Sequence, residues 1–299
     1  MNELITTLEI NGSLIGYLAI DMAVAILLLG GIRYAMGVLG KVNTADELAH
    51  KDNFAYGISM AGGVAAMGIA LSGAITGELA GSYEIELIGM LAYGLAGLIL
   101  IKAGRYIHDK FALASFDKQA LIIDRNIAVA LVDAASVIAT AIVVRAAIMW
   151  VEGLNVDTFI ALVAAWVVSQ VMLVVITRFF EWKYAKNNGM PFQTALVNNH
   201  IALAIRYSGY LISTAMSVTA ASYFIIFDVD SLWMGLMQWV VISVILMVLL
   251  TILTGIAKFL VLWGINRREE VEDQQNIGIA TIELATSFSI AFLLMALMS

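Results

Sequence analysis

The sequence predicts an all-α protein, a polytopic bundle of eight transmembrane helices built from four parallel two-helix repeats. Two observations predict the membrane class: 62% of the 299 residues are hydrophobic and only 13% are charged, and the mean hydropathy is +0.93. A soluble domain is usually nearer half apolar and one-quarter charged. A third observation, a sequence pattern that recurs at intervals of roughly 75 residues, predicts the repeats.

Eight apolar stretches are long enough to cross a bilayer, for which a helix needs about 20 residues. The single proline, Pro191, is typical of helices without internal breaks. The connections between the stretches are short, so no extramembrane catalytic domain is expected. The predicted spans are residues 14–36, 54–76, 86–107, 127–149, 158–180, 201–226, 234–260 and 277–298.

Basic residues mark one side of the predicted bundle. Every Lys and Arg except Arg145 and Arg206 lies in or beside one alternate set of connections, whereas the other set is acidic. By the positive-inside rule the basic connections are cytoplasmic, so both termini are predicted to lie outside. The N-terminal residues 1–13 contain no Lys or Arg, so a cleavable signal peptide with a positive n-region is not expected there.

The repeats are visible at both ends of the spans. Odd-numbered spans end on a basic–aromatic pair that begins at Arg33, Arg105, Arg178 or Lys258, and even-numbered spans open on Asn53, Asn126, His200 or Asn276. This register predicts repeats at 1–76, 77–149, 150–226 and 227–299 in one compact membrane domain. Repeats with two spans each all point the same way and are related by an axis along the membrane normal. We expect a pseudo-fourfold ring or two nested pseudo-twofold halves.

The two kinds of span differ in side-chain size. Even-numbered spans are rich in Gly, Ala, Ser and Thr, and odd-numbered spans are bulkier. Since helices associate in lipid through close packing of small residues, the even spans are predicted to lie inside. The basic–aromatic pairs are then expected to anchor the bundle at the cytoplasmic interface. The Asn and His residues are expected to cap their helices, or alternatively to form a polar ring at a cytoplasmic mouth.

Ionisable residues inside the spans are expensive and therefore mark candidate sites. Asp133 and Glu283 occupy the same repeat position, and Arg206 lies one residue before the equivalent position of the third repeat. Packed around one axis, the three would meet about 10 Å from the cytoplasmic helix ends. Such a group is either a structural ion cluster or part of a transport or gating site. Nearer the outer face, Asp21 and Arg145 are expected to form a structural pair.

Composition excludes several classes of function. The chain has no Cys and only three scattered His residues, so disulfide scaffolds, thiolate metal sites and an obvious metal cluster are not expected. The net charge of −7 disfavours nucleic-acid binding. No nucleophile–base arrangement, phosphate-binding glycine loop or HExxH motif is present, so neither catalysis nor a cofactor is predicted.

Two segments carry a family resemblance. The pattern Asp52-Asn53-x-Ala55-x-Gly57 through Ser72-Gly73, and the pattern Arg125-Asn126-x-Ala128 through Asp133-Ala134, resemble the YjfL-like bacterial membrane proteins. That family is labelled domain of unknown function 350. The resemblance covers essentially the whole chain, as four two-helix units or two halves of four spans, and the third unit departs from it with His200. It implies an inner-membrane location and no catalytic residues.

Two functional hypotheses follow from these observations. Genes of the family tend to lie beside genes for PspA-like membrane-remodelling proteins, which implies a role in envelope stress or maintenance. The first hypothesis is a non-catalytic scaffold or anchor that recruits a PspA-like peripheral protein. The alternative is a channel or transporter for small ions, protons or polyamines that uses Asp133, Arg206 and Glu283. The expected partners also include the lipid bilayer and a second copy of the chain.

Overall fold

A computed structural model describes residues 12–40, 42–75 and 81–298, and all regular elements in this part of the chain are helical. Eight of the helices are long and apolar enough to cross a membrane. The chain is therefore a multi-pass membrane protein, as predicted. The eight helices are α1 Gly12–Gly40, α2 Phe54–Ala74, α3 Tyr83–Ile107, α4 Ile127–Trp150, α5 Val156–Asn188, α6 Ile201–Ala220, α7 Leu232–Val261 and α8 Ile277–Met298.

Some helices begin or end at residues other than those predicted, because the helical hydrogen bonds extend beyond the apolar stretch or stop within it. Helix α5 continues about two turns beyond its apolar stretch to Asn188 and ends on Gly189, whose φ of 65° is the left-handed conformation of a helix C-cap. Helix α6 stops at Ala220 and passes into a 3₁₀ turn, Ala221–Phe224, although its sequence stays apolar. Hydropathy identifies residues that are apolar enough to lie in lipid, whereas the capping residues determine where the helix ends.

Short helical segments fill the connections at one end of the bundle. Three of them are π-helical turns, Asp46–His50, His108–Ala112 and Glu269–Asp273, and two are single α-helical turns, Lys118–Ile123 and Phe192–Val197. These connections lie in the basic set of the sequence. We refer to this end of the molecule as the basic end.

The four small-residue helices pack side by side in chain order. Helix α2 packs on α4, α4 on α6, and α6 on α8. Glycine permits the close approach: a Cβ built on Gly62 would lie 2.5 Å from the Ala134 Cβ, and one on Gly209 would lie 2.6 Å from the Leu284 Cα. Lipid supplies no hydrophobic driving force between helices, so close van der Waals packing at small residues holds them together instead.

Burial follows the predicted division into inner and outer helices, with one exception. In the most apolar stretch of each helix, 56% of α2, 78% of α4 and 72% of α6 is buried, compared with 17–44% of the odd-numbered helices. Helix α8 is only 28% buried. It lies at one end of the row, and none of the other described inner helices covers its outer face.

The row is open. Among the described residues, α2 and α8 do not pack extensively on each other, as adjacent members of a closed ring would. The closed pseudo-fourfold ring, one of the two arrangements that the repeat left open, therefore does not describe these contacts. A sequence repeat predicts that the copies point the same way. It does not predict the angle between successive copies, which determines whether they form a closed ring.

Candidate functional site

The repeated Asn or His is the N-cap of each inner helix. Side-chain acceptors of Asn53, Asn126, His200 and Asn276 receive the backbone N–H three residues later, at 2.9–3.2 Å. The preceding residue has a left-handed backbone in every repeat, with φ between 48° and 66°, and these are the only non-glycine residues with positive φ in the described chain: Asp52, Arg125, Asn199 and Gln275. This turn aims each cap at its helix.

The same caps also bond to the neighbouring repeat. Asn53 Nδ2 donates to the carbonyls of Ile122 and Ile123, at 3.2 and 3.1 Å, and Asn126 Nδ2 donates to those of Leu196 and Val197, both at 3.0 Å. His200 Nε2 lies 3.1 Å from the carbonyl oxygen of Glu272. We call this series the cap ladder. It ties each of the first three inner helices, α2, α4 and α6, to the connector of the next repeat along the row.

The first and last repeats add a carboxylate to the cap. Asn53 Nδ2 donates to Glu47 at 2.9 Å, and Asn276 Nδ2 donates to Glu270 at 2.7 Å, with the same spacing of six residues. Hydrogen bonds from Lys51 and from Asn53 hold the pKa of the Glu47 carboxyl below its usual range. A negative charge at a helix N-terminus is also favourable for the helix dipole.

Asp133, on α4, is the centre of a buried charge cluster. Arg105 grips it with two hydrogen bonds, Nε to Oδ1 at 2.9 Å and Nη2 to Oδ2 at 2.6 Å, and Lys118 forms a further ion pair with Oδ1. Ser59 Oγ donates to Oδ2 at 2.5 Å, and Lys118 is shared with Asp109 at 2.5 Å. The Asp133 side chain is completely buried, so these bonds replace the hydration that it lost.

Glu283, on α8, is the centre of a second cluster. Arg206 donates from Nε to Glu283 and from Nη1 to Glu272 at 2.6 Å. Arg267 Nη1 lies 3.6 Å from Glu283, and the Arg267 carbonyl accepts from Arg206 Nη2 at 2.6 Å. The guanidinium of Arg206 thus joins α6, α8 and the connector between α7 and α8.

The predicted three-residue cluster is divided in two. Arg206 meets Glu283, as expected, but Asp133 does not join them and is neutralised by Arg105 and Lys118. The reason is the open row, since α8 lies on the far side of α6 from α4 and the three helices share no axis. Asp133 and Glu283 do occupy equivalent repeat positions, but each carboxylate is paired with cations of its own half of the chain.

The predicted outer pair does not form. Arg145 Nε donates to Ser72 Oγ at 3.0 Å, whereas the buried Asp21 carboxyl faces that of Glu86 at the start of α3. Helix α1 packs on α2 and α3 and not extensively on α4, which holds Asp21 and Arg145 apart. Two residues predicted to lie at a similar depth in the membrane need not be on neighbouring helices.

The basic–aromatic pairs do not share one role. The Arg33 side chain lies outside the described residues. Arg178 is half-exposed and pairs with Glu181 at 2.8 Å, as suits an interface residue, and its neighbour Phe179 is exposed. Arg105 is a ligand of Asp133 instead of a surface anchor, which corrects the prediction for that position. Lys258 lines a cavity.

Contacts that the sequence did not reveal join the two halves of the chain. His108 Nε2 lies 3.1 Å from the hydroxyl of Tyr207, which lies 2.8 Å from Thr177 Oγ1. Gln193 donates to the Ala112 carbonyl at 3.2 Å and accepts from the Ser115 N–H at 2.8 Å. Two of these residues occupy repeat positions, since Tyr207 lies seven residues after its cap, as Asp133 and Glu283 do, and Gln193 lies 74 residues after Gln119. The repeat does not reveal which residues they contact.

Two cavities adjoin the charge clusters at the basic end. One, of about 610 Å³, is lined by residues of the first half that include Ser59, Lys102 and Arg105. The other, of about 750 Å³, is lined by residues of the second half that include Arg206, Lys258 and Glu283. The two halves thus place comparable cavities beside comparable buried carboxylates.

Comparison with known proteins identifies the family. The family model described as Domain of Unknown Function (DUF350) matches residues 8–148 and again 152–298. No curated protein and no solved structure matches the chain. Each match spans four transmembrane helices and contains one of the buried carboxylates, Asp133 or Glu283. The chain therefore belongs to the DUF350 family and carries its domain twice in tandem.

Proposed function

We propose that this protein is a non-catalytic scaffold of the bacterial inner membrane that presents a rigid platform at its basic end to a peripheral protein. The observation that carries the proposal is the cap ladder, which bonds the connectors to one another across the whole row. A surface of short loops normally moves independently of its neighbours. Here the loops are one hydrogen-bonded unit, as a docking surface requires.

The buried charges also favour a structural role over a path through the bundle. Asp133 accepts hydrogen bonds from three side chains, and Arg206 is bonded to two carboxylates and a carbonyl. Hydroxyls farther along the inner helices donate to carbonyls of their own helix, as Ser136 does at 2.8 Å and Ser287 does at 2.8 Å. The charged groups, whose bonds join different helices and connectors, hold the bundle together.

The proposed orientation places the platform in the cytoplasm, in accord with the positive-inside rule. The candidate partner is a PspA-like protein, on the gene association of the family. Exposed side chains available to it include Lys110 and Phe111, which project from the connector after α3 and form a cation–π contact at 5.8 Å. Aromatic side chains are enriched in protein interfaces, and a neighbouring charge steers the approach of a partner of opposite charge.

The first test is co-purification of the PspA-like protein of the same organism with the detergent-solubilised membrane protein. The double variant Lys110→Ser, Phe111→Ser is expected to recover about tenfold less partner, since loss of an interface anchor costs roughly 1–2 kcal/mol. The matched control is Val156→Ser, an exposed apolar residue at the opposite end of the bundle, which should recover the wild-type amount. Equal recovery with the double variant and with wild type would contradict the proposal.

The second candidate function is the ion, proton or polyamine conduit. It is favoured by the cavities of about 610 and 750 Å³ beside Asp133 and Glu283. On this hypothesis proteoliposomes show cation or proton flux that both Asp133→Asn and Glu283→Gln reduce, whereas the exposed Glu84→Gln leaves it unchanged. Wild-type proteoliposomes without flux, or flux indifferent to both substitutions, would exclude the conduit.

A further inference from the structure

The cavity of the second half carries an excess of positive charge. It is half-enclosed by α5, α6, α7 and the connector before α8, and its volume is about 750 Å³. Five cationic side chains and two carboxylates line it, so the lining has three positive charges more than negative ones. The cations are Lys183, Arg206, Lys258, Arg267 and Arg268, and the carboxylates are Glu272 and Glu283.

The carboxylates do not neutralise all of these cations. Arg206 engages both Glu272 and Glu283, and Arg267 and Arg268 each lie 3.5–3.6 Å from one of them. Within the described part of the chain, neither Lys183 nor Lys258 has an ion-pair partner. Lys258 lies in the last turn of α7 and is only partly exposed, so its ammonium is available to an anion in the cavity.

Comparison of the two halves explains why Lys258 is unpaired. It occupies the position in the fourth repeat that Arg105 occupies in the second, and Arg105 forms an ion pair with Asp133. In the second half Arg206 comes from the neighbouring helix and takes the carboxylate of Glu283 instead. Lys258, the basic residue of this repeat, therefore forms no ion pair with Glu283 and lines the cavity.

The cavity also has the shape of an amphiphile. Its charged part lies at the connector 264–268, and its lining continues along α7 to Thr251, seven residues before Lys258 and therefore about 10 Å deeper along the helix. Phe179, Phe180 and Phe259 add apolar surface to the lining, and Phe179 and Phe259 are half-exposed. A soluble anion would use only the charged end.

We propose that this cavity binds an anionic phospholipid, with its phosphate at Lys258, Lys183 and Arg267 and an acyl chain along α7. Basic pockets between transmembrane helices are suited to anionic headgroups, and Lys and Arg bind phosphate oxygens through charge-assisted hydrogen bonds. The inference is independent of the scaffold proposal, since it concerns a different ligand and needs no peripheral protein.

The test is native mass spectrometry of the delipidated protein titrated with dioleoyl phosphatidylglycerol, which resolves each bound lipid. Lys258→Gln is expected to weaken binding of the first lipid about fivefold, since one cation near the headgroup contributes about 1 kcal/mol. Lys183→Gln should act in the same direction and provides a second variant whose exposed side chain places no demand on folding. The matched control is Lys102→Gln, which lines the cavity of the first half and should leave the first binding step unchanged.

Two further arms identify the ligand. Dioleoyl phosphatidylcholine should bind at least several-fold more weakly than phosphatidylglycerol, and inorganic phosphate at equal concentration should not displace the bound lipid. Equal affinity for the two lipids, or equal loss with Lys102→Gln and Lys258→Gln, would overturn the proposal. Displacement of lipid by inorganic phosphate would also overturn it, and would assign the cavity to a soluble phosphate.

Discussion

Replacing Asp133 with Ala is expected to destabilise the folded protein by about 3–5 kcal/mol, because Arg105 would be left largely buried without a counter-ion and Lys118 would keep only Asp109. Both cations reach the carboxylate from outside α4, Arg105 from α3 and Lys118 from the connector. The loss would therefore loosen α3 and the connector against the inner row. Unfolding in mixed micelles, followed by far-UV circular dichroism as the fraction of denaturing detergent rises, measures the change.

Two comparisons separate the buried pair from a general loss of charge. Asp109→Ala removes another carboxylate that contacts Lys118, but its side chain is one-third exposed, so we expect a loss of at most about 1 kcal/mol. Adding Arg105→Met and Lys118→Met to Asp133→Ala removes both cations of the cluster and should recover part of the stability. An Asp133→Ala protein as stable as the Asp109→Ala protein would show that the cluster does not hold the fold.

Substitution of Gly62 by Ala is expected to destabilise the bundle by about 1–3 kcal/mol through overpacking at the contact between α2 and α4. The added Cβ would lie 2.5 Å from the Ala134 Cβ and 2.6 Å from its Cα, and the Cα belongs to a helix backbone that cannot move aside alone. The two helices would have to separate along their whole contact. The same detergent-unfolding measurement reports the loss.

Gly68, on the same helix, provides the matched control. No heavy atom lies within 4 Å of a Cβ built there, so Gly68→Ala should be neutral or stabilising by up to about 1 kcal/mol, the helix-propensity difference between Ala and Gly. Opposite signs for the two Gly→Ala changes would establish that close approach, and not helix propensity, governs position 62. Stabilisation by Gly62→Ala would contradict the packing described for α2 and α4.

Local features of this protein could be predicted from its sequence because they depend on neighbours in the chain. The spans follow from runs of apolar residues, and the inner helices from their small side chains. The caps at Asn53 and Asn126 depend on a backbone N–H only three residues away. The tandem repeat also requires only comparison of the chain with itself, and the two DUF350 matches agree with it.

The partners of the buried charges were decided by tertiary structure. Asp133, Arg206 and Glu283 lie at matched depths, but depth fixes only one coordinate of a helix residue. Whether two such residues meet depends on which helices are neighbours, and this chain forms an open row in which α6 separates α4 from α8. Lys118 reaches Asp133 from a connector that has no periodic pattern to reveal it.

The sequence by itself thus determined the membrane class, the eight helices, their repetition and their caps, since each follows from composition or from bonds within a few residues. Only the tertiary structure decided that Arg105 binds Asp133 while Lys258, at the equivalent position, remains unpaired in a cavity. The physical reason is that a buried carboxylate is satisfied by whichever cation the packing brings nearest, and in the second half that cation is Arg206.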